Sequence, residues 1–134
     1  METKTYTPEE IKDASFEFFK GDDLATKVWS TKYALKDSFG NVYELTPDDM
    51  HRRLAREIGR IEKDYPNPLT ESELFDLFKD FKYIVPQGSP MTGIGNEYQV
   101  ASLSNCFVIG FAADSYSYGA IIKIDEEQVQ LMKR

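Results

Sequence analysis

Apolar residues recur at helical spacing through roughly the first eighty positions of the chain, and then the pattern changes. Tyr6-Thr7-Pro8-Glu9-Glu10 opens the first run. Thr7 suits an N-cap, and Pro8 suits the first helical position, where its missing amide hydrogen costs nothing. Ile11, Ala14, Phe18 and Phe19 share one side of this helix before Gly21 ends it. A second helix is predicted after Asp22 or Asp23, with Leu24, Val28, Trp29 and Tyr33 as its apolar stripe. Thr46-Pro47-Asp48-Asp49 marks a third start, with a cap, a proline and two carboxylates at the positive helix end. Met50, Leu54, Ile58 and Ile61 follow at helical intervals, and Tyr65-Pro66-Asn67-Pro68 stops the helix. Thr70 and Glu73 fit a capping box ahead of the dense apolar run Leu74, Phe75, Leu77, Phe78 and Phe81.

Two stretches interrupt the helical pattern. Ser38-Phe39-Gly40-Asn41 is a turn signal, and its flanks are compatible with a short hairpin or with an irregular extended link. In 84–96, Pro86, Gly88, Pro90, Gly93 and Gly95 predict an ordered loop with no regular element. Beyond it, 103–111 reads as a buried strand that includes Cys106, Phe107, Val108 and Ile109. Ser115 or Ser117 can open a last short helix or turn, and 126–134 is predicted helical with Val129 and Met132 facing inward. The expected fold is mainly α with a short β element. It divides into a helical region at 1–100, containing the loop at 84–96, and a strand followed by a helix at 101–134.

Composition narrows the function. A length of 134 residues and 41% hydrophobic content suit one compact domain with a real core. A net charge of −7 argues against binding nucleic acid through its phosphates, but leaves room for a mononucleotide site with a few local donors. No stretch approaches the ~20 apolar residues of a membrane span, and the N-terminus lacks the apolar run of a secretory signal. A single cysteine cannot form an internal disulfide, which favours a reducing compartment and a cytoplasmic location. His51 and Cys106 are the only His and Cys, so no structural zinc site is expected. Arg52, Arg53, Arg56 and Arg60 read as a solvated helix face paired with Glu57, Glu62 and Asp64. His51 beside two arginines reads as surface, and Trp29 reads as core.

Two features carry candidate chemistry. Cys106 is either a small apolar residue of a strand or a redox thiol presented beside a glycine-rich loop. Gln87-Gly88-Ser89-Pro90-Met91-Thr92-Gly93 is either ordinary turn punctuation or a nucleotide-contacting loop, in which backbone amides and the Ser89 hydroxyl meet phosphate or ribose oxygens.

Taken in order, Pro86-Gln87-Gly88-Ser89-Pro90-Met91-Thr92-Gly93-Ile94-Gly95-Asn96, Ser104-Asn105-Cys106-Phe107, Asp114-Ser115-Tyr116 and Gln130-Leu131-Met132-Lys133-Arg134 resemble the start of the catalytic domain of a ribonucleotide reductase large chain. The likeness is greatest to the adenosylcobalamin-dependent class II group, and it runs from about Trp29 to Arg134. It implies the N-terminal helical domain of that family plus the first strand of its α/β barrel. It also implies conversion of ribonucleotides to 2′-deoxyribonucleotides by thiyl-radical chemistry. On this resemblance Cys106 is one thiol of a redox pair, and Ser89, Asn105 and Cys106 line the substrate pocket. The partner cysteine and the radical cysteine would lie in the remaining C-terminal part of the reductase, in cis or as a second chain, so this chain alone would be inactive. A dithiol reductant such as thioredoxin or glutaredoxin would restore the thiols. Met91 stands where the family usually has Thr, with Thr92 as a possible stand-in, and 114–119 departs from the family's compact turn. The competing expectation is a non-catalytic interaction module that keeps this N-terminal fold and binds a partner chain.

Overall fold

The computed structural model describes residues 4–104, 106–110 and 117–133, and the chain falls into two compact units, Met1–Leu103 and Ser104–Arg134. The first unit contains helices α1 (Pro8–Phe18), α2 (Asp23–Val28), α3 (Pro47–Glu62), α4 (Glu71–Phe78) and α5 (Gly88–Gly93); the second contains α6 (Tyr118–Met132).

Local chemistry sets the helix starts. Thr7 and Glu10 form a reciprocal capping box at α1, with the Thr7 amide donating to the Glu10 carboxylate at 2.8 Å and the Glu10 amide donating to the Thr7 hydroxyl at 3.3 Å. Asp22 caps α2 by accepting from the Ala25 amide at 2.9 Å. At α3 the Asp49 carboxylate reaches back to the Thr46 amide at 3.1 Å, and Thr70 and Glu73 do the same for α4 at 2.8 Å. Ser117 caps α6 through the Ala120 amide at 3.2 Å.

The first unit is built around two apolar clusters with Tyr33 packed against both. Ile11 of α1, Trp29 and Ala34 form one, covered by Tyr6, Phe19, Val42 and Leu45. Met50, Leu54 and Ala55 of α3 form the other with Leu74 and Phe78 of α4 and Met91 of α5. Helix α4 comes close at Gly59, where an added Cβ would sit 3.4 Å from Leu74 Cδ1. The segment after α2 is a π turn, Trp29–Tyr33. Thr26 and Trp29 are buried there while Leu24 is exposed, so the inward face of α2 is turned from the stripe the sequence suggests. The Thr26 hydroxyl loses nothing by burial, because it donates to the Asp22 carbonyl at 2.7 Å.

The turn at 38–41 closes a narrow antiparallel ribbon. Its bridges are Lys36 to Val42 and Val42 to Tyr6, too few to make a strand. The Asp37 carboxylate organises the turn, accepting from the Phe39 and Asn41 amides at 2.9 Å and from the Tyr43 hydroxyl at 3.0 Å.

Six expectations are corrected. His51 is fully buried, stacked on Phe78 and edge-on to Phe81, because the buried face of α3 is two residues wide and includes Ala55 and Gly59. Arg53 is also buried, paired with Glu44 rather than with the acids of its own helix. Ile61, by contrast, is half-exposed at the end of α3. The loop at 84–96 contains helix α5, which tolerates Pro90 in its first turn and keeps its glycines at its two ends. No strand exists among the described residues: 103–104 and 106–110 have no regular structure, and Val108 is fully exposed. A strand's amides and carbonyls need a neighbour, and no other described segment offers one. Residues 105 and 111, the other parts of the expected strand, lie outside the described residues, as does Ser115. Helix α6 runs through 126–132 as expected but starts earlier, and Val129 and Met132 are exposed rather than inward. Of its side chains only Ala120 is buried.

Candidate functional site

Helix α5 holds Ser89, and side chains from three other segments hold α5. Inside the helix, the Thr92 hydroxyl donates back to the Gly88 carbonyl at 3.1 Å and to the Ser89 carbonyl at 3.3 Å. Thr92 thus serves the helix backbone. Asn96 finishes the turn: its amide nitrogen donates to the Thr92 carbonyl at 3.1 Å, and its oxygen accepts from the Tyr98 and Gln99 amides at 2.9 and 3.1 Å. At the other end, Tyr33 lies against Gly88 so closely that an added Cβ would be 3.2 Å from its ring.

The strongest anchor is Arg53 of α3. Its Nε donates to Glu44 Oε1 at 2.7 Å and its Nη2 to Glu44 Oε2 at 3.3 Å. Nη2 also donates to the Met91 carbonyl at 2.7 Å, and Nη1 donates to the Ile94 carbonyl. These carbonyls belong to the C-terminal end of α5, where a helix has no donors of its own to satisfy them. Glu44 is itself fixed, its Oε2 accepting from the Leu35 amide at 2.8 Å. Burial pushes the Glu44 carboxyl above its ordinary range, and Arg53 and the Leu35 amide pull against that shift. Gly95 makes the approach possible: with φ of +69°, it would place a Cβ 2.7 Å from Glu57 Cγ and 2.9 Å from Arg53 Cγ. Beside this network a surface cavity of about 410 Å³ opens, flanked by Arg52, Arg56 and Tyr98. Tyr98 stacks on Tyr43 with ring centroids 4.2 Å apart.

Two of the other arginines pair with an acid of their own helix as the sequence suggests, and among the described residues Arg52 does not. Arg56 and Arg60 are exposed and lie near Glu57 at 3.4 and 3.3 Å. Arg52 lies over the Phe75 ring at 4.5 Å.

His51 is the other buried ionisable group. Among the described residues neither ring nitrogen has a hydrogen-bond partner, and Asp48 Oδ1 stands 3.6 Å from Nδ1, too far for one. Burial lowers its pKa, opposed by the nearby Asp48 and Asp80 carboxylates.

Of the expected site residues, Ser89 belongs to the first unit and Cys106 to the second, where it is exposed and outside any disulfide. Asn105 and 114–116 lie outside the described residues. Sequence reasoning missed the pairing of Glu44 with Arg53. The available signal was position: Arg53 follows Met50 by three residues on α3, so it flanks the buried stripe, which Arg52 and Arg56 do not do in the same way.

A small all-helical unit thus carries a short helix clamped by buried charge. The profile of the ribonucleotide reductase all-alpha domain matches residues 19–93, more than half of the chain. The chain belongs to that family, whose enzymes are oxidoreductases of deoxyribonucleotide synthesis. Comparison with curated proteins gave no match, and comparison with solved structures gave none. No helix among the described residues is long and apolar enough to cross a membrane.

Proposed function

We propose that this chain supplies the N-terminal helical part of a ribonucleotide reductase large chain of the adenosylcobalamin-dependent class II type, working in the cytoplasm. The observation that supports this reading is the family match over residues 19–93, a region that contains α5 and Ser89. On the likeness of the sequence to that family, Ser89, Asn105 and Cys106 are the residues that contact the ribonucleotide in the complete enzyme, and Cys106 is one of its two reducing thiols.

The chemistry explains why one chain of this composition needs more protein. Two thiols give up two electrons and two protons and become a disulfide; the ribose 2′ carbon–oxygen bond breaks, and the oxygen leaves as water. Cys106 is the sole cysteine, so the second thiol comes from another segment, in cis or on a second chain. A dithiol protein of the thioredoxin or glutaredoxin kind then reduces the disulfide. Adenosylcobalamin supplies the initiating radical when bound to the complete enzyme. No residue of this chain is assigned to its site.

A second reading is a non-catalytic module that binds a partner chain. The half-exposed Ile121, Ile122 and Val129 on α6 favour a partner of some kind under either reading. The two separate by activity. The isolated chain with adenosylcobalamin, a dithiol and a ribonucleotide is expected to make no deoxyribonucleotide. In the complete reductase, Cys106→Ser and Cys106→Ala are expected to abolish multiple turnover with a dithiol-protein reductant while melting temperature changes little. Full turnover by both variants would reject the redox role of Cys106, whereas failure of the unaltered chain to support turnover with the remaining part of the reductase would favour the module.

A further inference from the structure

We propose that Arg53, oriented by Glu44, is a positioning residue for the substrate-contacting segment, fixing α5 and with it Ser89 at the height the ribonucleotide requires. This rests on the reading that α5 contacts the ribonucleotide.

The case begins with what the pair costs. Two charges taken out of water lose hydration that their mutual attraction only partly returns, so an apolar pair of similar volume would hold α3 against the ribbon at least as well. What an apolar pair cannot do is reach two carbonyls. The flat guanidinium offers donors in several fixed directions. Here one edge meets both oxygens of Glu44, and the remaining donors meet the carbonyls of Met91 and Ile94. Those two acceptors sit on either side of the end of α5, so the contact sets the rotation of the helix about its axis as well as its distance. Glu44 fixes the angle of the guanidinium, and the Leu35 amide fixes Glu44. Gly95 leaves space for the Arg53 side chain that any larger residue would occupy. Tyr33 blocks movement at the opposite end, against Gly88. Among the described residues the exposed arginines of α3 have no equivalent arrangement: Arg56 and Arg60 meet Glu57, and Arg52 lies over Phe75.

The test uses Arg53→Lys, Glu44→Gln and Ser89→Ala in the complete reductase, with the 134-residue chain for exchange measurements. Lysine keeps the charge but has no fork. Amide hydrogen exchange at 91–96 is expected to quicken about tenfold in Arg53→Lys, while exchange in the α3–α4 core stays the same, as loss of one shared hydrogen bond implies. The KM for ribonucleotide should rise about tenfold with kcat nearly unchanged, the mark of lost positioning at the binding stage. Glu44→Gln leaves Arg53 bonded to both carbonyls and should give a smaller change in the same direction, which keeps the test open if Arg53→Lys fails to fold. Unchanged exchange at 91–96 would overturn the clamp. A raised KM in Ser89→Ala with none in Arg53→Lys and Glu44→Gln would overturn the positioning role and leave the pocket standing. No rise in any of the three would overturn the pocket reading, and the positioning role with it.

Discussion

Two glycines with the same backbone handedness face different consequences. Gly40 has φ of +89° with nothing within 4 Å of an added Cβ, whereas Gly95 has φ of +69° and would drive a Cβ into Arg53 and Glu57. Gly40→Ala therefore costs only the left-handed backbone penalty, about 1 kcal/mol. Gly95→Ala adds overpacking against a buried side chain and is expected to cost about 2–4 kcal/mol. Urea denaturation of the two variants checks this, and equal losses would show that the Arg53 stem gives way freely. The same logic separates the arginines of α3. Charge alone makes Arg53 resemble Arg56, but one is enclosed with four acceptor contacts and the other stands in solvent.

Between α3 and α4 the decisive group is His51. It faces Phe78 of α4, Phe81, and the carboxylates of Asp48 on its own helix and Asp80 in the turn after α4. Burial holds its folded pKa below the ordinary 6.5, so as pH falls the unfolded chain takes up the proton first. The contribution to stability is thus at its full value above pH 6.5 and falls as pH drops through that value, by at most about 1.4 kcal/mol per pH unit. His51→Leu should remove this slope, which a series of melts between pH 5 and 8 would show. An unchanged slope would assign the acid sensitivity to other groups.

Helix starts were legible in the sequence because caps act within four residues. Thr7 and Thr70 cap where their side chains alone predict it, and Ser117 is one of the two serines the sequence offered for the last helix. Helix α5 was not legible, since glycine and proline in a six-residue stretch argue for a loop. Two of the carbonyls at its end are satisfied by Arg53, far away in sequence. His51 and Arg53 were missed for a related reason: polar residues at the edge of an apolar stripe go inside only when a partner or an aromatic cleft awaits them, and periodicity does not report partners. The expected strand at 103–111 failed because a strand is a property of a pair. Of the candidate site, Ser89 lies on a helix where a loop was expected, and Cys106 is exposed rather than buried.

At the scale of the molecule, both apolar clusters are made from residues of Met1–Leu103. Helix α6 contributes to neither. The first unit therefore carries its own cohesion, and the family match falls wholly inside it.

The bonds from Arg53 to Met91 and Ile94 span 38 and 41 residues of chain, whereas α3 and α4 meet across a short connection. Long closures lose more chain entropy before any contact rewards them. In kinetic terms the segment bearing Ser89 should settle last, after the α3–α4 pair has formed. Met91→Ala is then expected to speed unfolding and leave the refolding rate alone, while Leu74→Ala slows refolding. Stopped-flow refolding of the two variants decides the order, and slowing of equal size in both would place α5 in the folding nucleus.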